Sequence, residues 1–291
     1  MNTKKIYSAK FLILALLFYS ILVVLPSFIG IFYSFTDWNS MNSVIHFIGL
    51  DNYKEIFFSD DSYMPFVWRS INFGIITTVC KALIGLALAL LLNSGLKSQS
   101  VLRAVFFMPV TISPLIIGLL FIAILNPTNG LVNGFFHGIG LDFLAKPWLA
   151  DPKWSFLSVM SVEVWRYAGF NMAIFLAGMQ MIPKSDYEAA SLDGAGAWAK
   201  FIHITLPYLL PSIAINTIFN LINGLKVFDI VFALTHGGPG RSTEVMNTMI
   251  FKTYSSGLYG LSTAMGVVMF LLIMIIAFTV LKLLTRKEEA F

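Results

Sequence analysis

Long apolar runs limit what this chain can fold into. Residues 11–35 carry no charged side chain, and residues 262–284 are apolar until Lys282. A helix needs about 20 apolar residues to cross a bilayer. The runs reach that length and lack the strict alternation of barrel strands. Of the 291 residues 57% are hydrophobic and 12% charged, against about 25% charged in soluble domains. The chain therefore reads as an all-α integral membrane protein. Run 11–35 is too long for a signal-peptide core and reads as a retained first span, with Tyr33 and Trp38 at the level of an aromatic belt.

Six spans are expected, near 11–35, 68–92, 104–125, 154–181, 208–234 and 262–284. Segment 37–65 is acidic, with Asp37, Asp51, Glu55, Asp60 and Asp61 against Lys54, and reads as outside. Segment 94–103 is short and basic and reads as inside. Lys and Arg also mark both ends: Lys4, Lys5 and Lys10 before the first span, Lys282, Arg286 and Lys287 at the last. The positive-inside rule then puts both termini in the cytoplasm. The expected organisation is a cytoplasmic tail at 1–10, a six-span domain at 11–284 and a cytoplasmic tail at 285–291. In the third span, Pro109 and Pro114 should break or kink the helix. Segment 126–153, rich in Gly and Asn, reads as outside, and so does the turn-rich run 235–240. Residues 253–260 read as an interfacial approach to the sixth span.

Several functions are excluded. Cys80 is the single cysteine, so no intrachain disulfide or cysteine metal cluster can form. His46, His137, His203 and His236 are scattered without ligand-like spacing, so no metal site is expected. The net charge of +4 is explained by topology and makes no case for nucleic acid. No glycine-rich phosphate loop occurs, so the chain cannot hydrolyse ATP, and no catalytic residue or bound cofactor is expected.

The polar loop 184–207, between two apolar runs expected to be spans, reads Glu188-Ala189-Ala190, then Asp193-Gly194, then Ile204 and Leu206-Pro207. Glu and Ala favour a helix. Asp186 or Ser185 can cap it after Pro183 ends the preceding one. Gly194 allows a turn with positive φ, and Pro207 permits a new helix near it. This spacing resembles the cytoplasmic EAA loop of the membrane subunits of binding-protein-dependent ABC importers. The resemblance covers about 68–284. It includes the run from Arg103 to Pro109, Gly169-Phe170-Asn171-Met172 followed by Leu176 to Gln180, Phe228-Asp229-Ile230, and Leu234 to Pro239 with Ser242-Thr243. These are similar to the carbohydrate-uptake branch, and within it to the maltose and glycerol-phosphate "F/A" type, although the extra spans and large outer domain of the maltose subunit are missing.

The resemblance implies a type I ABC importer permease fold in the cytoplasmic (inner) membrane of a bacterium or archaeon. It also implies Glu188, Ala189, Ala190, Asp193 and Gly194 as the residues that couple to an ATPase. The implied partners are a second, homologous permease, two ATPase subunits that use ATP and Mg, an extracytoplasmic binding protein and the sugar it delivers.

Within the spans, Asn216, Asn220 and Asn223 share one helix face, continued by Lys226. With Asn171 they read either as lining a sugar path, where amides serve hydroxyls, or as bonds between helices. Phe219 and Phe228 offer stacking or packing surfaces. Glu163 and Arg166 stand at i, i+3, and Lys81 needs an acidic partner such as Glu163 or must snorkel. A cation among Lys81, Arg166 and Lys226 would favour an acidic or phosphorylated sugar. Other readings are an importer of another solute such as glycerol phosphate, an ion-coupled secondary transporter, or a scaffold without transport.

Overall fold

The computed structural model describes residues 9–59, 63–93 and 97–288. Most of the expected tail 1–10, with Lys4 and Lys5, lies outside them, as do Asp60, Asp61, residues 94–96 and the end of the tail 285–291.

The described residues form helices and no β-strand; Thr36 and Phe47 make an isolated bridge. A π-helical turn, Ser20–Val24, joins α1 (Ala9–Tyr19) to α2 (Leu25–Tyr33), and α3 (Asp51–Phe58) follows. Next come α4 (Met64–Leu92), α5 (Gln99–Thr111), α6 (Pro114–Ile124), α7 (Leu131–Gly138) and α8 (Pro152–Gln180). After α9 (Lys184–Leu192), helix α10 (Ala197–Lys200) runs through a π turn, Phe201–Thr205, into α11 (Leu206–Tyr208). The chain ends with α12 (Leu210–Leu225), α13 (Asp229–Thr235), α14 (Met246–Ser255) and α15 (Tyr259–Glu288).

Three helical stretches are long and apolar enough to cross a membrane: Leu12–Tyr33, Met64–Leu92 and Tyr259–Leu284. They match the first, second and sixth expected spans. Helix α8 covers the fourth, and Pro152 begins it under an Asp151 cap that accepts the Lys153 amide at 2.8 Å. The other two expected spans are not single straight helices. The third is α5 and α6, bent by 100°. The break lies just before Pro114, at Ile112 and Ser113, while Pro109 stays inside α5. Ile112 and Ser113 have extended ψ values of 141° and 135°; Ser113, directly before proline, is pushed out of the helical region. The fifth starts earlier, in α10–α11, bends by 64° into α12 and is interrupted between α12 and α13. The expected interfacial approach, 253–260, takes in the end of α14, a turn at 256–258 and the start of α15.

The chain divides into two compact units. Residues 1–64 and 249–271 form one. Here the Trp38 ring packs between Tyr33 and Tyr259, at centroid distances of 4.4 and 4.8 Å. The segment after α2 is pinned by the buried Asn52 amide, which donates to Ser34 O and Thr36 O at 2.9 Å each. Residue 40 meets the turn before α15 through Ser40 N–H to Gly257 O, 2.8 Å.

Residues 65–248 and 272–291 form the second unit. Its first core cluster brings Phe73 of α4, Ile117 of α6, Val159 of α8 and Val231 of α13 together. Its second joins Ala89 of α4, Met172 and Phe175 of α8, and Leu209 at the α11–α12 bend. Small residues let backbones approach. A Cβ on Gly169 of α8 would stand 1.9 Å from Phe106 O of α5, so only glycine fits that crossing.

Candidate functional site

Loop 184–207 forms two short helices joined by a tight turn. Pro183 is extended and α9 begins at Lys184. Neither Ser185 nor Asp186 caps it, contrary to the expectation from sequence. Asp186 lies in the first turn, where its charge suits the positive end of the helix. Its carboxylate accepts hydrogen bonds from Ser185 Oγ at 3.1 Å and Tyr208 Oη at 2.6 Å. At the other end Gly194 has φ +75°. Its amide donates to Ser191 O at 3.2 Å, and the Ala195 amide donates to Ala190 O at 2.8 Å. This is a Schellman closure, which needs the left-handed residue that glycine supplies.

Side chains then bind the loop to the helical run that follows. Tyr187 Oη and Thr205 Oγ1 are 2.8 Å apart, and Lys200 Nζ donates to Ser191 Oγ at 2.8 Å. The opposite side is open. Glu188, Ala189, Asp193 and Gly194 are exposed and Ala190 is half-buried. Leu192 is 90% exposed and Trp198 71%, so two large apolar side chains stand in the open on one loop. Tyr187, Thr205 and Tyr208 were not singled out from sequence. Their roles come from contacts 18 and 22 residues apart, which spacing does not announce.

The helical run from Ala197 leads inward. It bends at Leu209, which is fully buried against the second core cluster, and continues as α12. There Asn220 of α12 and Asn171 of α8 exchange amide hydrogen bonds, the Asn171 donation measuring 3.4 Å. Asn216 is fully buried one turn away. Asn223 is half-buried and donates to Phe219 O at 2.8 Å, and Lys226 is exposed at the end of α12. The structure thus brings Asn171 and Asn220 together inside the unit and leaves Asn223 and Lys226 towards its surface. The Phe219 ring packs on Phe170, with centroids 4.7 Å apart, and Phe228 stacks on Phe232 at 5.2 Å.

A charged cluster is buried between α4 and α8. Lys81 Nζ donates to Glu163 Oε1 at 2.9 Å, and the side chains are 0% and 5% exposed. Arg166 stands 3.9 Å from the other carboxylate oxygen. Lys81 also lies 4.4 Å from the centre of the Tyr167 ring, a favourable cation–π placement. The two interruptions of helix meet in space: Ser113 and Pro114, with Phe228 and Asp229, line one cavity of about 260 Å³.

An all-helical chain with long apolar helices, buried ion pairs and broken helices in its interior is a multi-pass membrane protein. Residues 81–289 match the family model of the binding-protein-dependent transport system inner membrane component, and the chain belongs to that family. It is 36% identical to the probable ABC transporter permease protein YurN of Bacillus subtilis, over 99% of each chain. It is 32% identical to the multiple sugar-binding transport system permease protein MsmF of Streptococcus mutans, over 98% of this chain and 97% of the relative. A bacterial ABC transporter involved in the import of the acidic polysaccharide alginate has a chain of the same fold, with a TM-score of 0.83 at 24% identity over 95% of this chain and 94% of that one. The family consists of transport subunits, not enzymes.

Proposed function

We propose that this chain is one of two permease subunits of an ATP-driven importer for a sugar or oligosaccharide, delivered by an extracytoplasmic binding protein. The sugar reading is supported by the similarity to MsmF, named for multiple sugar-binding transport. In this reading the chain has six spans, with α8, the α5–α6 pair and the α10–α12 run completing the three apolar ones, and both termini cytoplasmic in a bacterial or archaeal inner membrane. The chain hydrolyses nothing. Two separate ATPase subunits bind ATP and Mg.

The observation that carries the assignment is the loop 184–207: exposed on one side and bonded on the other to the helix that enters the interior. Glu188, Ala189, Ala190, Asp193 and Gly194 meet the ATPase, with Leu192 and Trp198 giving apolar contact. ATP-driven closure then moves α9, and the Asp186–Tyr208 and Tyr187–Thr205 bonds pass the movement to α11 and the Leu209 bend. The loop can shift access only by binding the ATPase differently in the two states.

The sugar path runs along the face where Asn223 and Lys226 reach the surface of this chain, beside a second permease. Asn171 and Asn220 lie behind it and hold α8 to α12, with the Asn216 side chain buried beside them. Of the three cations that would favour an acidic sugar, Lys81 and Arg166 both stand beside Glu163 and are largely enclosed, so the choice of substrate charge rests on Lys226.

The test is isolation from the native membrane in mild detergent with mass spectrometry of what accompanies the chain. A second permease and an ATPase with a phosphate-loop sequence support the assignment. Recovery of the chain alone in several detergents overturns it and turns attention to ion-coupled transport.

A further inference from the structure

An apolar groove of about 520 Å³ opens on the second unit between α6, α7 and α8. Its walls are Phe121, Ile124, Val132, Leu157, Trp148 and Trp165. Two serines also border it, but both hydroxyl protons are engaged: Ser158 Oγ shares its one proton between Trp148 O and Trp154 O, at 2.9 and 3.0 Å, and Ser161 Oγ donates to Leu157 O at 2.9 Å. The remaining walls are aliphatic and aromatic, and the serine protons are already given to backbone carbonyls, so the groove suits hydrocarbon.

One end of the groove carries charge. Trp148 lines the groove and meets Trp154 edge to face at 6.0 Å. Lys146 Nζ and Lys153 Nζ both face the Trp154 ring, 5.8 and 5.7 Å from its centre. The acids of this segment are engaged elsewhere: Asp151 caps α8, and Asp142 pairs with His137. Among the described residues neither lysine is in an ion pair. The arrangement is held from beneath by Asn133, 3% exposed. Its amide donates to Pro127 O and Lys146 O at 3.0 Å each and accepts from Lys146 N at 3.2 Å and Trp148 Nε1 at 2.7 Å. With its bonding capacity filled, Asn133 fixes both the Lys146 backbone and the Trp148 ring, so lysine and groove are positioned together. On the outer side of α7, Leu131 and Phe135 are 73% and 62% exposed, as in a helix lying at the boundary of headgroups and acyl chains.

We propose that this is a binding site for one anionic phospholipid, with an acyl chain in the groove and the phosphate between Lys146 and Lys153. Tryptophan rings sit at headgroup level in membrane proteins, and paired lysines there attract anionic lipid. A helix of the second permease would fill the groove but leave the two ammonium groups without an anion. The site does not depend on the transported substrate, nor on which side of the membrane it faces.

The test uses the assembled transporter, stripped of lipid in detergent and titrated with phosphatidylglycerol or with phosphatidylcholine of the same chains, with bound lipid counted by native mass spectrometry. Wild type should retain one phosphatidylglycerol in preference to phosphatidylcholine. K146Q/K153Q should weaken phosphatidylglycerol binding roughly thirtyfold and leave phosphatidylcholine unchanged. Ser161→Trp, which fills the groove from an exposed position, should lower both. Equal retention of the two lipids by wild type, or undiminished phosphatidylglycerol binding in the lysine variant, overturns the proposal. So does cross-linking of Ser161→Cys, in a Cys80→Ser background, to the second permease, which would make the groove a subunit interface.

Discussion

Tyr208 Oη donates a 2.6 Å hydrogen bond to Asp186 Oδ2, joining the first turn of α9 to the last residue of α11 across 22 positions of sequence. The bond lies at the surface, where a hydrogen bond contributes little to stability. Its value is geometric, because it ties the start of α9 to the residue before the Leu209 bend. Tyr208→Phe is therefore expected to leave expression and melting temperature unchanged while lowering substrate transported per ATP hydrolysed. Reconstituted vesicles give both rates. An unchanged ratio would mean that the bond carries no motion.

The Lys81–Glu163 pair makes the opposite prediction. Both side chains are buried, and removing one partner strands the other charge in the interior. Lys81→Met alone should destabilise the detergent-solubilised protein by about 3–5 kcal/mol. Glu163→Gln alone should cost a similar amount, since it leaves Lys81 beside Arg166 without their carboxylate. Lys81→Met with Glu163→Leu should recover much of the loss of the first variant, because no unpaired Lys–Glu charge is left, although Arg166 then keeps no acid at 163. Thermal unfolding of the three variants measures the coupling. Additive losses would show that the two groups do not interact.

The sequence made these parts legible to different degrees. The Lys81–Glu163 contact was foreseeable, since a lysine in the middle of an apolar run has few ways to be tolerated. Gly194 was foreseeable too, because a glycine after a helix-forming Glu-Ala-Ala run has one common use, a left-handed closure. The broken third span was half legible. Two prolines announced a break, but Pro109 remains in α5 while Thr111 Oγ1 donates back to Met108 O at 2.7 Å, and the extended pair Ile112–Ser113 precedes Pro114. Gly169 gave no local signal, because what it answers to is Phe106 O on another helix. The bonds from Tyr187 and Tyr208 were hidden for the same reason: periodicity reports which face a residue occupies, not which residue of a distant turn stands opposite. The asparagine stripe was read correctly as one helix face, yet only the structure divides it into an enclosed pair and a surface-facing end.

Asp37 supplies a pH dependence outside the membrane-spanning helices. The His46 amide donates to Asp37 Oδ1 at 2.7 Å, and the His46 ring stands 3.1 Å from Oδ2. The amide bond first, and the ring with it, hold the Asp37 carboxyl below the usual carboxylate range. A pKa lowered by folding stabilises this loop above the unfolded value, about 3.9, and that contribution disappears as the pH falls through the lowered folded value. Asp37→Asn should speed hydrogen exchange in segment 37–48 at pH 7. The difference from wild type should close in acid. A gap that persists below the folded pKa would mean that the charge is not what holds the turn.

Gly194 permits a graded test of the loop. Nothing lies within 4 Å of where its Cβ would be, and its φ is +75°, so a side chain there is opposed by backbone conformation and not by crowding. Asparagine enters the left-handed region readily, alanine at a cost of roughly 1–2 kcal/mol, and β-branched residues least well. If Gly194 serves only as the closure of α9, coupling of uptake to ATP hydrolysis should fall in the order Gly, Asn, Ala, Val, with membrane insertion unaffected because the position is exposed. Gly194→Asp separates shape from charge. It fits the turn about as well as Asn but adds a carboxylate next to Asp193 on the face proposed to meet the ATPase. Uncoupling by Asp with Asn near wild type would place an ATPase contact at residue 194 itself. Equal loss in Asn and Asp would assign the position to contact packing that tolerates no side chain. Wild-type uptake in Asp and Val alike would remove this turn from the coupling path.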